Sequence, residues 1–240
     1  MAKLLWDQES EKVYETGVKQ AALYVKDSKA SGKSGYAAGV AWNGVTGVTE
    51  SPSGAEITKL YANDGVYANL QAAEEFGGTI EAYTYPDEFA ACDGSATPIP
   101  GMKIGQQTRK PFGLAYKTTK GNDTEGTNYG YQLHLVYGCL ATPSERAYAT
   151  INESPEAITF SWEFQTTPVA VTGVKDADGN DYKATSIITV DSTDFTTEDA
   201  KAHLAALEAV LYGSEDKEAY LPTPEDVYNL LSTGSMEAAA

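Results

Sequence analysis

Across residues 157–166 of this 240-residue chain, Ile158, Phe160, Trp162 and Phe164 alternate with Thr159, Ser161 and Glu163. A period of two places the apolar side chains on one face of an extended strand and the polar ones on the other, so this segment predicts a strand with one wet face. Residues 21–26, 35–42, 79–85, 112–119, 129–140 and 186–191 carry the same period. Seven strands at such spacing predict a mainly β chain, a sandwich or barrel with a few short flanking α-helices. The 16 Tyr and 22 Gly agree, since β-rich, turn-rich folds favour both.

Turns are marked at Asn63-Asp64-Gly65, Gly121-Asn122-Asp123 and Asp176-Ala177-Asp178-Gly179-Asn180. Near the C-terminus the period changes. Thr196-Thr197-Glu198-Asp199 is a capping-box pattern; Leu204, Leu207 and Leu211 follow at helical spacing, and Gly213 ends the run, predicting a helix over 198–212. A second helix is predicted from Thr223-Pro224-Glu225-Asp226, with Pro in the first turn and Val227, Leu230 and Leu231 on one side. A shorter helix is expected over 86–92, stopped by Gly94.

The charge balance excludes several roles. Seventeen Lys and Arg against 34 Asp and Glu leave a formal net charge of −17, opposite to what phosphate neutralisation requires. Nucleic-acid and anionic-membrane binding are disfavoured. Residues 191–240 contribute eleven acids and two lysines, and residues 36–100 hold nine acids with Lys59 as the sole base. A solvated helix face is the ordinary reading of the first cluster, and control of self-association the functional one. The opening Met1-Ala2-Lys3-Leu4-Leu5-Trp6-Asp7-Gln8-Glu9 reaches acids before an apolar core of a signal peptide could form, and no apolar run approaches the ~20 residues of a membrane span. A soluble chain made in the cytoplasm is expected.

Patterns that carry chemistry fall short. Gly32-Lys33-Ser34 ends like a phosphate loop, but Asp27 stands where its first glycine belongs. Asp176, Asp178 and Asn180 match the start of a calcium loop, yet Asp181 replaces its glycine and Ile187 its bidentate Glu. His134 and His203 lack partners at metal-ligand spacing, and Cys92 and Cys139 read as small core-filling residues. No Gly-x-Ser-x-Gly elbow exists, and Ser154 precedes Pro155 in a turn. Glu74-Glu75 and Asp87-Glu88 suit glycoside chemistry only if two carboxylates meet across a cleft. No catalytic, cofactor-binding or metal-ligating residue is therefore expected, and no enzyme activity. Tyr83, Tyr85, Tyr129, Tyr131 and Tyr137, with Trp42 and Trp162, leave a monomeric carbohydrate- or ligand-binding β-sandwich as the alternative, although cross-strand packing is the better reading of the tyrosines.

Several long stretches, in order, carry a family resemblance. They include Ala41-Trp42-Asn43-Gly44-Val45-Thr46-Gly47-Val48-Thr49-Glu50, Phe76-Gly77-Gly78-Thr79-Ile80-Glu81-Ala82-Tyr83-Thr84-Tyr85-Pro86, Ile104-Gly105-Gln106-Gln107-Thr108-Arg109-Lys110-Pro111-Phe112-Gly113-Leu114 and Tyr129-Gly130-Tyr131-Gln132-Leu133-His134-Leu135-Val136-Tyr137-Gly138, then Ala157-Ile158-Thr159-Phe160-Ser161-Trp162-Glu163. The chain resembles, over most of residues 15–215, the major tail proteins, the tail-tube subunits of long-tailed bacteriophages with non-contractile tails. That resemblance implies a structural virion protein, made in the host cytoplasm and located in the tail. Its subunits form hexameric rings that stack into a hollow tube, each adding strands to an inner barrel through which DNA passes without specific binding. The implied partners are other copies of the chain and the tape measure, tail terminator and tail-tip proteins of the same phage. It implies neither a cofactor nor catalysis. A capsid-decorating or head-tail adaptor protein is a neighbouring alternative.

On this reading residues 1–16 are an N-terminal arm, 17–213 the tail-tube β domain, and 214–240 an acidic C-terminal extension with a short helix. The arm and extension are candidates for contacts made on polymerisation. Residues 42–67 are expected to form an extended loop or hairpin against the next ring, and the acids to give a lumen that repels DNA.

Overall fold

The computed structural model describes residues 3–30, 34–151 and 157–236. The described strands are β1 (Tyr14–Val25), β2 (Val40–Ala41), β3 (Val45–Glu50), β4 (Ser53–Gly54), β5 (Ile57–Ala62), β6 (Gly65–Gln71), β7 (Glu74–Glu75), β8 (Gly77–Ala82), β9 (Ala96–Ile99), β10 (Met102–Ile104), β11 (Phe112–Asn122), β12 (Gly126–Ala141), β13 (Phe160–Thr166) and β14 (Ile187–Asp191). The helices α1 (Glu198–Tyr212) and α2 (Pro224–Thr233) follow. The chain is mainly β, built on an eight-stranded antiparallel sheet ordered β2-β1-β11-β12-β13-β8-β3, with β14 paired to β12.

Strand β12 serves two partners in succession. Gln132 to Val136 pair with β14, and Cys139 to Ala141 pair with β13. The change falls at Gly138, whose φ of 64° admits the bend and whose missing Cβ leaves room for the Thr167 carbonyl. Past this bend, β13, β8 and β3 fold over one face of β1, β11 and β12.

Strand β11 is buried from Phe112 to Lys117 because both of its faces are covered. On one side Phe112, Leu114 and Tyr116 pack with Leu23, Ile80, Phe89, Trp42, Trp162 and Phe164. Trp42, Phe89 and Trp162 meet at centroid distances of 4.5, 5.2 and 5.6 Å, each aromatic pair worth about 0.5–1.5 kcal/mol beyond area burial. On the other side Ala115, Tyr24, Leu133, Leu135 and Tyr137 meet Leu204, Leu207 and Leu211 of α1 and Leu221, Val227 and Leu230 around α2. Residues 221–231, which the sequence assigns to an extension, thus share a core with the β domain.

The local signals translate with adjustments. Strand β1 begins at Tyr14, inside the expected arm, because Tyr14, Glu15 and Thr16 pair with Gly121, Lys120 and Thr119. Expected strand 35–42 shrinks to β2, since the Gly39 amide is bonded instead to the Ala219 carbonyl at 2.7 Å. The alternation from 157 becomes a strand only at Phe160. Thr197 caps α1 by accepting from the Ala200 amide, so the Thr196/Asp199 capping box does not form; Thr223 and Asp226 of α2 do form one. The segment expected as a helix over 86–92 is a 3₁₀ turn, Asp87–Ala91.

Candidate assembly surface

Two ribbons stand apart from the main sheet. In the first, β4 pairs with β7 and β5 with β6, and none of the four pairs with any other described strand. Its tip is the Asn63-Asp64 turn, with φ values of 49° and 61°, the geometry that matches the twist of a two-residue hairpin. Register shifts between Leu60 and Tyr61, leaving Tyr67 as the extra residue of a bulge.

Cross-strand pairing sorts the side chains. Ile57, Tyr61 and Val66 share one face, and Leu60, Ala68 and Leu70 the other. Both faces are open to solvent: Leu60 is 41% exposed, Leu70 55% and Tyr67 77%. A two-stranded ribbon has no interior of its own, and Lys59 and Asp64 are the only charges from Ile57 to Gln71. Exposed apolar and tyrosine surface of this kind makes the ribbon a candidate contact surface. The expected loop over 42–67 is therefore displaced: Trp42 lies in the core and β3 in the main sheet, and the ribbon occupies the stretch between β3 and β8.

The root of this ribbon is held by a polar cluster. Glu50, the last residue of β3, accepts a 2.5 Å hydrogen bond from the Tyr116 hydroxyl. Its Oε1 also lies 3.1 Å from His134 Nδ1, off the line of a good hydrogen bond. The His134 ring stacks on Tyr116 at 4.6 Å, with Nε2 3.1 Å from Thr118 Oγ1. The imidazole, then the Tyr116 hydroxyl, hold the Glu50 carboxyl below its usual range against the opposing effect of burial. Burial and the Glu50 contact push the Tyr116 hydroxyl far up. His134 is thus a fixed link between sheet and ribbon root.

The second ribbon, β9 with β10, turns at Pro100-Gly101, with Gly101 at φ 86°. Ile99, Met102 and Ile104 are exposed on it. The sequence reading passed over this element, although a Pro-Gly dipeptide between apolar residues was its available signal.

Several other candidate residues have partners within the fold. Asp176 accepts from the Asp178 and Asn180 amides at 2.9 and 2.8 Å, so the partial calcium motif is a hairpin tip whose carboxylate is occupied by its own turn, which lowers its pKa. His203 Nδ1 lies 3.1 Å from the Leu231 carbonyl and links α1 to α2. Cys92 and Cys139 are free and buried, and desolvation pushes the Cys92 thiol up to about 12. Trp42, Trp162 and Tyr137 are core residues, while Tyr131 donates to Glu208 beside the buried Lys117. Glu74 and Glu75 sit on β7 and Asp87 and Glu88 head the 3₁₀ turn. Gly32, Lys33, Ser154 and Pro155 lie outside the described residues. Among the described residues no group of three or more His, Cys, Asp or Glu is placed to hold a metal, and no helix is long and apolar enough to cross a membrane.

Comparison with protein-family models and with curated proteins finds no match to this chain.

Proposed function

We propose that this protein is a self-assembling structural subunit of a tail tube, stacking in hexameric rings through which phage DNA passes, with no catalytic step of its own. One observation carries the reading: the ribbon between β3 and β8 exposes apolar side chains on both faces and is tied to the sheet only at its root, so its burial requires another molecule. A head-to-tail contact between identical subunits repeats without limit unless it closes, and closed rings that stack give a tube. The sequence resemblance supplies the tube, the hexamer and the tape measure, terminator and tip proteins as partners.

The binding-module alternative loses Trp42 and Trp162, which lie in the core, and rests on tyrosines such as Tyr83, which is 54% exposed.

Size-exclusion chromatography with light scattering, across protein and salt concentration, with negative-stain imaging of each fraction, tests the reading. Rings or hollow tubes of uniform width are expected. A monomer at every salt concentration, even with a tail-tip initiator supplied, would overturn it.

A further inference from the structure

A groove of about 980 Å³ runs between α2 and the segment leading into β14. Its apolar lining includes Val171, Tyr182, Ile188, Phe195, Tyr228 and Leu231, with Lys183 and Asp194 at its margins. Strand β14 borders it and pairs only with β12 among the described strands; on its other edge the Thr185 hydroxyl engages the Ile187 amide and carbonyl, and the stretch beyond Ile187 is left to an extended segment. Groove and open edge together fit a short extended stretch of apolar side chains better than a small polar ligand.

The same chain carries such a stretch. Leu4, Leu5 and Trp6 are 73%, 63% and 74% exposed, whereas Trp42 and Trp162 are 3% and 1% exposed. At these exposures the three side chains fill no groove of their own chain. Lys3 precedes them and Asp7 follows, matching Asp194 and Lys183, neither of which has an ion-pair partner among the described residues. Residues 3–13, ahead of β1, could reach up to ~36 Å if extended, enough to cross to a neighbouring subunit.

We propose that Leu4, Leu5 and Trp6 of one copy seat in the groove between α2 and β14 of a second copy. Each chain offers one arm and one groove, so the contact propagates head-to-tail along an assembly unless two copies exchange arms reciprocally and close a dimer. It goes beyond the tube reading and does not require it, since arm exchange can link subunits in any head-to-tail oligomer.

Two full-length variants test it by sedimentation and by iodide quenching of Trp6, the exposed tryptophan. The arm variant carries Leu4→Ser, Leu5→Ser and Trp6→Ser; the groove variant carries Ala184→Glu and Tyr228→Glu, both at exposed positions where folding is little affected. The unmodified protein should self-associate, with Trp6 becoming shielded as concentration rises. Each variant alone should associate about tenfold or more weakly. Their equimolar mixture should recover association in 1:1 complexes with Trp6 of the groove variant shielded. Association of either variant at the unmodified level, or a mixture no better than its parts, would overturn the inference. So would Trp6 shielded at the lowest concentration, which places the arm in its own groove, and so would an unmodified protein that never associates. Tubes built by the arm variant would sink this inference and leave the tube reading standing.

Discussion

Replacing Leu60 and Leu70 together by Ser strips one face of the long ribbon of its large apolar side chains. With Leu60 41% and Leu70 55% exposed, about half of each remains to be buried by a partner. Full burial of a Leu side chain is worth about 1.5–3 kcal/mol, so the pair stands to contribute roughly 2 kcal/mol per contact, about a thirtyfold weakening when lost. The fold should scarcely notice, because neither side chain belongs to a buried cluster. Exposed substitutions of this kind fall within about 0.5 kcal/mol, or less than ~2 °C in Tm for a chain of this size. The assay pairs a thermal melt with sedimentation over a concentration series. Expected is an unchanged melt with association displaced to about thirtyfold higher concentration. Unchanged association would refute the assignment of this face to a contact. A melt lowered by many degrees would show that the ribbon supports its own fold, and the argument from an unsupported surface would fail.

Three further outcomes follow from the packing. Gly138→Ala puts a methyl 2.2 Å from the Thr167 carbonyl at a φ of 64°, so a loss above about 2 kcal/mol and a Tm drop of at least ~5 °C are expected; an unchanged melt would refute the bend at β12. Thr223→Ala removes the cap of α2 and should cost about 1 kcal/mol, with Thr223→Ser restoring most of it in chemical denaturation; equal stability of all three would discount the cap. Glu50→Gln removes the ribbon-root anion. Because the folded-state pKa of Glu50 is depressed, its contribution is present above the unfolded value of about 4.5 and lost as pH falls through the lower folded value. With the side chain 37% exposed, about 1 kcal/mol is expected at pH 7, and the gap between variant and parent should close in acid; a gap independent of pH would assign the loss to packing.

The core was legible where a segment's period matched its burial. Ala115 and Leu133, Leu135 and Tyr137 alternate in sequence and face α1 and α2, while Phe112, Leu114 and Tyr116 face the other strands. The helices were legible from Thr223, Pro224, Gly213 and the leucine spacing, because caps are local chemistry. What sequence could not show is set by distant partners. Gly39 left the strand pattern because Ala219, far along the chain, claimed its amide. Strands β5 and β6 escaped the seven-strand reading because neither face is buried, so no contrast between apolar and polar sides marks them. The Asn63-Asp64-Gly65 turn was visible without the strands it joins. The Glu50 cluster had no sequence signal, since Tyr116 and His134 meet as cross-strand partners of β11 and β12 and Glu50 reaches them only through the fold-over of β3.

That failure and the proposed function have the same physical origin. A strand buried on one face announces itself by alternation, and a strand intended for burial by a partner on both faces need not alternate at all. Thr58, Leu60 and Leu70 on one face and Ile57, Tyr61 and Val66 on the other give such a mixed ribbon. Left alone, a surface of this kind invites indiscriminate association. The chain sets against it a net charge of −17, which repels like subunits over roughly 8–10 Å at physiological to moderate salt. Apolar contact acts only on touching, whereas the repulsion acts during approach, so the two terms divide by distance. A random encounter meets the charge first. On the tail-tube proposal, an encounter aligned by a tail tip, or by subunits already in place, brings the ribbon into contact and gains the apolar term. On that proposal the acidic surplus slows every approach, and only an aligned encounter gains the apolar contact that offsets it.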